Sequence, residues 1–513
     1  MKSQNATNIN KIRQELESGR DPSMISAESM EAGEKAAWKE VLLKISPTLD
    51  ADEKRADIIV FLQTIISQYF KGIQVFPYGS VPLKTYLADG DIDMTVICYP
   101  NMKDYIANGI YKLLKYQEQN MSAEYTIKET RMIGAEVKLV KCKVENIPID
   151  ISFNQLGGLS TLCFLEQVDH LVQKNHLFKR SVMLLKAWCH YECHILGAFH
   201  GLLATYALEV LILFIFQRFN SSLNGPLAVL YRFLDYYANF DWNNYCISLD
   251  GPILTSSLPN LVVTDQGNGG ADLLLSKEDM RSYTEMFSSS TFCVNQDMQI
   301  FGTKYLNIMD PLKEKNNLGR SVSKANAARI ISAFKYGARN LGRILQLPRE
   351  SISDEIKKFF GSTLMNHGSS FAELERLSPL PVSEEDFPLE SVEIDDIYDD
   401  GDDNDDCNDH NVEGTRPASN VSSLLKAWPL DKPMDTETVK ESELLDLRGD
   451  YASSARNLAY SLCTLGYSST IPALSTRPPT TGQFQEMPST SAQWNLNENA
   501  AVARRRFNTG NNH

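Results

Sequence analysis

The chain is short of several things that would narrow its class at once. Its nine cysteines, an odd number, include no CxxC pair, which argues against a disulfide framework and against a paired-cysteine zinc module. The longest apolar run, 202–216, is too short for a membrane span and is broken by Glu209. It reads instead as a buried helix, and no membrane partner is expected. The polar, charged start of the chain carries no apolar stretch of the kind a secretory signal needs, so a nuclear or cytoplasmic location is expected. Excess positive charge is missing as well: residues 1–350 hold 37 acidic and 37 basic side chains, and residues 351–513 hold 28 and 13. A neutral front portion neutralises few phosphates and predicts weak nonspecific nucleic-acid binding. Internal repeats, a basic arm and an aromatic ribonucleoprotein motif are not found. Arg504 to Arg506 is too short a basic run to argue a nuclear signal.

What is present falls into five segments. Residues 1–33 are polar and patternless, a flexible lead. Residues 34–70 repeat apolar side chains at helical spacing (Trp38, Val41, Leu42; Ile58, Leu62, Ile65, Ile66), broken at Ser46-Pro47, and are expected to belong to the central domain. Residues 71–155 mix short β-like runs with one helical pattern at 103–116, which predicts an α/β unit. Residues 156–350 are mostly helical, apart from an irregular segment with QGNGG at 266–270. Residues 351–513 become acidic and proline-rich, with DDIYDDGDDNDDCNDHN at 395–411, and read as a mostly disordered tail. Within it, 442–465 is a short amphipathic stretch suited to a helix that docks back on the folded part, and its RGD reads as an ordinary helix start.

The chemistry sits in FPYGSVPLKTYLADGDIDMTV. Asp91 and Asp93 stand where a buried strand is expected, and alternation across a strand puts both on one face. Asp150, between Ile149 and Ile151 in IPIDISF, is acidic in the same unlikely setting. Carboxylates are costly to bury unpaired, so three of them on neighbouring strands predict a cation site. Hard oxygen donors suit two Mg2+ or Mn2+ ions, with no zinc expected. Gly79 lets the backbone approach a ligand, and Ser80 offers a hydroxyl and an amide to phosphate. Asp89 reads as a turn residue outside the claw. Cys189 and Cys193, with His190, His194 and His200 nearby, do not match a zinc-finger spacing and read as core.

Gly-Ser, ten residues, Asp-Ile-Asp and a later strand Asp resemble the DNA polymerase beta type nucleotidyltransferases. More narrowly, the chain resembles the noncanonical poly(A)/poly(U) polymerases and their plant relatives, from about residue 35 to 350. The resemblance implies an α+β architecture: a polymerase-beta-type catalytic domain and a mostly helical PAP/OAS-like central domain, with the active site between them. It implies Asp91, Asp93 and Asp150 as catalytic metal ligands, and Gly79, Ser80 and Lys186 on the triphosphate. Thr161 is placed at the ribose, Thr205 on the phosphates and Tyr206 stacked on the base. The segment Asp310–Ser323, with Asn316, Asn317 and Arg320, is similar to the family's nucleotide-recognition loop. His190 stands where a second phosphate-binding lysine is usual. Asn316 stands where uridylyl-transferring members often carry histidine, which tilts the expectation from UTP toward ATP. The implied reaction is template-independent nucleotidyl transfer to an RNA 3' end, with the acceptor delivered by an RNA-binding protein. Two alternatives stay open: an inactive scaffold of the same fold, and a nucleotidyltransferase with a non-RNA acceptor.

Overall fold

The computed structural model describes residues 25–120, 123–134, 138–258 and 300–367, together with residue 274 and a few positions between 446 and 461. The QGNGG segment, the acidic run at 395–411 and residues 1–24 lie outside the described residues.

Five strands make the sheet that carries the acidic residues: β1 (Gln74–Tyr78), β2 (Ile92–Ile97), β3 (Ile127–Gly134), β4 (Lys138–Val144) and β5 (Ile147–Phe153), in the order β1-β2-β5-β4-β3. β1 and β2 are antiparallel, β3, β4 and β5 form an antiparallel meander, and β2 joins β5 in parallel. Each strand alternates, so one face is apolar. Ile92, Met94, Val96, Val140, Cys142, Ile149 and Ile151 bury it against two helices, α2 (Leu49–Tyr69) and α4 (Lys103–Gln119). Ile58, Leu62, Ile65 and Ile66 of α2 lie in this same core, so α2 belongs to the catalytic domain rather than the central one. Burial of each such aliphatic side chain contributes about 2 kcal/mol, and that face fixes the sheet's other face toward the chemistry.

Preceding α2, α1 (Ala27–Ala37) runs on through a π-helical turn at Trp38–Leu42. It starts inside the segment expected to be a flexible lead. Ser26 caps it by accepting from the Ser29 amide, and its buried face is made of Gly33, Ala36 and Ala37. Small residues make that face hard to see as hydrophobic periodicity. They are needed nonetheless: a Cβ on Gly33 would stand 2.7 Å from Leu345 and 2.8 Å from Leu227. Glu34 accepts from the Leu227 and Ala228 amides at the start of the helix Pro226–Ala238, and burial pushes its carboxyl up to about 7.

The helical domain consists of α5 (Leu156–Val172), α6 (Leu177–Ala187), α7 (Thr205–Phe219), α8 (Pro226–Ala238) and α9 (Lys324–Ile344). Two small hairpins add β6 (Tyr245–Ser248) with β7 (Gly251–Leu254), and β8 (Met309–Asp310) with β9 (Lys313–Asn317). α7 is buried almost all round, as its near-continuous apolar sequence requires. Two more helices, α10 (Arg349–Phe359) and α11 (Gly361–Asn366), extend the folded part past residue 350 into the segment read as tail. α10 is highly charged and buries only Ile352 and Ile356, which is why composition alone assigns it to solvent.

A piece of the distal chain also docks. Lys179, fully buried, forms an ion pair with Glu166 and donates a 2.9 Å hydrogen bond to the Leu447 carbonyl. A Cβ on Gly449 would collide with the Glu166 carboxylate, and Leu458 and Ser461 are buried. Glycine in the RGD sequence is therefore a close-approach residue.

Candidate active site

β2 and β5 pair so that Asp93 is the direct partner of Asp150. Cross-strand partners share a face, so both carboxylates project from the side of the sheet away from α2 and α4. Asp91 lies one residue before β2 rather than within it, yet its carboxylate converges with the other two. Ligand oxygens of Asp91, Asp93 and Asp150 all lie within 4.8 Å of one another. Among the described residues these three are the one group of three or more His, Cys, Asp or Glu side chains able to hold a metal ion.

The loop that delivers Asp91 is pinned from α2. Lys84 forms a 2.6 Å ion pair with Asp52, Tyr86 donates to the same carboxylate, and buried Arg55 donates to the Ala88 and Gly90 carbonyls while stacking on Tyr86. Gly79 has φ 74°, and a Cβ there would stand 2.7 Å from Asp93 Oδ2. Any side chain at 79 would occupy the space beside the claw. Ser80 opens the short helix α3 (Ser80–Leu83) directly after it.

Burial first, and like charge after it, raise the carboxyls of the claw. Burial, then the neighbouring Asp91 and Asp150 carboxylates, push Asp93 up to about 8, against the pull of Lys186 and Lys141. Burial raises Asp150 too, opposed by a hydrogen bond from Lys141. That lysine, 2.5 Å from Asp150 Oδ2, is a site residue that sequence reasoning missed. The strand KLVKCKV looks like an ordinary half-exposed strand until its register against β5 is known.

Lys186 donates to the Thr85 carbonyl at 3.5 Å and lies within electrostatic reach of both Asp93 and buried Glu209. Burial pushes the Glu209 carboxyl up to about 7. His190, one turn on in a π-helical turn (Trp188–Glu192), sits 3.3 Å from Asp89. Asp89 also accepts a 2.7 Å hydrogen bond from Tyr191. Burial works to raise Asp89, but its bonds to His190 and Tyr191 outweigh it and leave the carboxyl below its usual value. Asp89 is thus a clamp between the domains rather than a simple turn residue. Cys189 is buried in the same turn, where burial raises its thiol well above the usual range, a poor state for a metal ligand.

α5 links this end to the recognition end. A Cβ on Gly158 would strike the ring of Tyr78, the β1 partner of Asp93, and one turn later Thr161 hydrogen-bonds Tyr206. Tyr206, next to Thr205 at the head of α7, donates a 3.0 Å hydrogen bond to Asp310. Asn316 donates to the other Asp310 oxygen at 2.8 Å, and Arg320 donates to the Asn316 side-chain oxygen, Oδ1. Asp310 is the hub of this network and is absent from the residues expected from sequence. Its carboxyl is raised by burial and held back by the bonds from Asn316, Leu312 and Tyr206. Asn317 is placed differently from the expectation. It is buried, accepts from the Ile308 and Gly319 amides, and donates to Gly302 and Asn307, so all its bonds hold the loop together.

Two family descriptions match consecutive parts of this architecture. "Poly(A) RNA polymerase, mitochondrial-like, central palm domain" covers residues 35–167, and "PAP/OAS1 substrate-binding domain" covers residues 172–364. The chain belongs to the poly(A)/poly(U) polymerase-like nucleotidyltransferases. Protein HESO1 of Arabidopsis thaliana is 24% identical over 341 residues, 59% of this chain and 63% of that protein. Poly(A) RNA polymerase cid14 of Schizosaccharomyces pombe is 23% identical over 203 residues, 38% of this chain and 28% of that protein. The chain thus spans less than two thirds of the length of these curated relatives. A solved structure described as a cytoplasmic RNA terminal U-transferase superposes with a TM-score of 0.45 at 16% identity, covering 64% of this chain and 98% of that one. Asp91, Asp93 and Asp150 fall in the part matched by the palm description, and Tyr206, Asp310 and Asn316 in the part matched by the substrate-binding description.

Proposed function

We propose that the chain transfers a nucleotidyl group from an NTP to the 3'-hydroxyl of RNA without a template, releasing pyrophosphate. The observation that carries this reading is the convergence of Asp91, Asp93 and Asp150 beside Gly79, with α5 running from Tyr78 to the Tyr206–Asp310 network. Three hard carboxylates in reach of one another, with the space a Cβ would fill left open, fit a pair of Mg2+ or Mn2+ ions. Such ions supply charge neutralisation at the transferring phosphoryl group and acidify the attacking hydroxyl.

The chain's own residues do the rest. Ser80 and Lys186 hold the triphosphate, the first by its hydroxyl and backbone amide, the second by its charge. His190 is engaged with Asp89, so it adds little to that grip. Asp150 stands at the metal-ligand side of the cleft and takes the proton of the attacking hydroxyl. Thr161 lies at the ribose. Tyr206, with its hydroxyl fixed by Asp310, offers its ring to the base, and Thr205 lies at the phosphates. Asn316 and Arg320 line the base end, where the lack of a histidine favours ATP over UTP. A neutral catalytic portion is consistent with an RNA-binding partner that delivers the acceptor.

The test is extension of a short single-stranded RNA by the purified full chain with Mg2+ or Mn2+ and each NTP in turn. Incorporation is expected, fastest with ATP, and Asp91→Ala with Asp93→Ala should lower it at least ~1,000-fold. A chain that incorporates no nucleotide into any acceptor, and shows no Mg2+-dependent thermal shift with any NTP, would be a scaffold.

A further inference from the structure

The sheet register aligns one row of side chains across all five strands: Arg131 on β3, Lys141 on β4, Asp150 on β5, Asp93 on β2 and Tyr78 on β1. Direct cross-strand partners share a face, so this row is an uninterrupted line from two cations to two anions. Its centre is the 2.5 Å contact between Lys141 Nζ and Asp150 Oδ2. The Asp150 carboxylate is one of the three of the claw. A divalent ion therefore has to take Asp150 from a charged partner that the fold itself supplies.

We infer that Lys141 is a built-in competitor of the metal at Asp150, and that it sets how firmly the claw takes a divalent ion before nucleotide arrives. The inference rests on the reading of Asp91, Asp93 and Asp150 as metal ligands. The placement is specific to Lys141. Lys143, two residues along the same strand and on the same face, pairs with Glu129 at 2.6 Å instead. Lys186, the other cation within reach of Asp93, donates to the Thr85 carbonyl. Lys141 is about two thirds buried and Asp150 more so, with side-chain exposures of 32% and 15%, and a charge pair is screened less there than on an open surface. An ammonium can swing away on its flexible stem, whereas a backbone donor cannot, so the contact is reversible. An NTP brings its own negative charge to the cleft, and with it the ion gains ligands that Lys141 does not contest. The claw is in this way kept weak for bare ions and strong for ions that arrive with a triphosphate.

The experiment is a Mn2+ titration of the nucleotide-free full chain, with free Mn2+ read by electron paramagnetic resonance. Asp91→Ala with Asp93→Ala defines binding outside the claw. Lys141→Met should bind Mn2+ roughly tenfold more tightly than the natural chain, as expected for removing one cation from direct contact with a ligand. Lys143→Met, which removes the same charge away from the claw, should differ from the natural chain by less than about twofold. Lys141→Arg keeps the charge and can grip the carboxylate with two N–H groups, so it should bind Mn2+ more weakly and covers the case in which the methionine variant fails to fold. Equal affinity in Lys141→Met and Lys143→Met, or weaker affinity in Lys141→Met, would overturn the inference and leave the metal reading standing. Binding by the natural chain no tighter than by the double-alanine variant overturns both.

Discussion

The aspartate claw and the Tyr206–Asp310 network, the recognition end, are built on opposite principles. At the claw, Asp91, Asp93 and Asp150 crowd together, and burial, then the two neighbouring carboxylates, push Asp93 up to about 8. At the recognition end, the Asp310 carboxylate receives Tyr206, Asn316 and the Leu312 amide, and Asn316 in turn accepts from Arg320. One end sets three carboxylates against a single bonded ammonium, Lys141 on Asp150, and the other surrounds a single carboxylate with three donors. The difference teaches that substitutions of the same kind, removing one carboxylate charge, should move stability in opposite directions at the two ends.

The sharpest break would come from Gly79→Ala. Its Cβ meets Asp93 Oδ2, so the ligand has to move, and a displacement near 1 Å at reacting groups costs about 100-fold in rate. Measured kcat should fall by that order while the thermal midpoint changes little beyond the cost of the positive φ. A smaller effect is expected from Asp310→Ala, which leaves Tyr206 and Asn316 without their acceptor. Unfolding free energy should drop by about 1–3 kcal/mol, and KM for the nucleotide should rise more than kcat falls. Stabilisation by Asp310→Ala would show that the recognition end is as frustrated as the claw.

The smallest expected effect is a pH slope. Asp93 keeps its proton to about pH 8 in the folded chain and loses it near pH 4 when unfolded, so between those values the folded state binds more protons. Stability of the metal-free chain then falls as pH rises from about 4 to about 8 and levels off above that. Asp93→Asn lacks this contribution. Its thermal midpoint should exceed that of the natural chain by a margin that widens across the same window. A margin that is flat with pH would mean that the claw is not strained.

How much of this is legible in the chain alone depends on the kind of signal each residue leaves. Asp93 and Asp150 interrupt apolar strands, and Gly79 precedes them at a fixed spacing, so all three stand out against a pattern. Lys141 breaks no pattern, because Lys141 and Lys143, two residues apart with buried Cys142 between them, are what a half-exposed strand shows. Only pairing with β5 reveals its partner. Asp310 lies in an irregular segment where no periodicity exists to violate, and its importance comes from three donors brought from α7, the β8–β9 turn and β9. Asn317 misleads for the opposite reason: its neighbour faces the site, and one step along β9 turns a side chain to the other face. The α1 helix is hidden because its buried face is glycine and alanine, and α10 because two isoleucines are all it buries. Assignment of α2 to the palm could not be read at all from amphipathicity, which says that a face is buried but not against what.

The parallel pairing of β2 with β5 has a consequence for the order of events when the chain folds. β1 with β2, and β3 with β4 and β5, are two locally connected antiparallel units, and the β2–β5 ladder is the seam that joins them. Contacts between distant parts of a chain close more slowly than local ones. Asp93 and Asp150 lie on either side of that seam and face each other across it. The claw therefore does not exist in either half, and its capacity to hold an ion comes into being only at the moment the sheet is zipped shut.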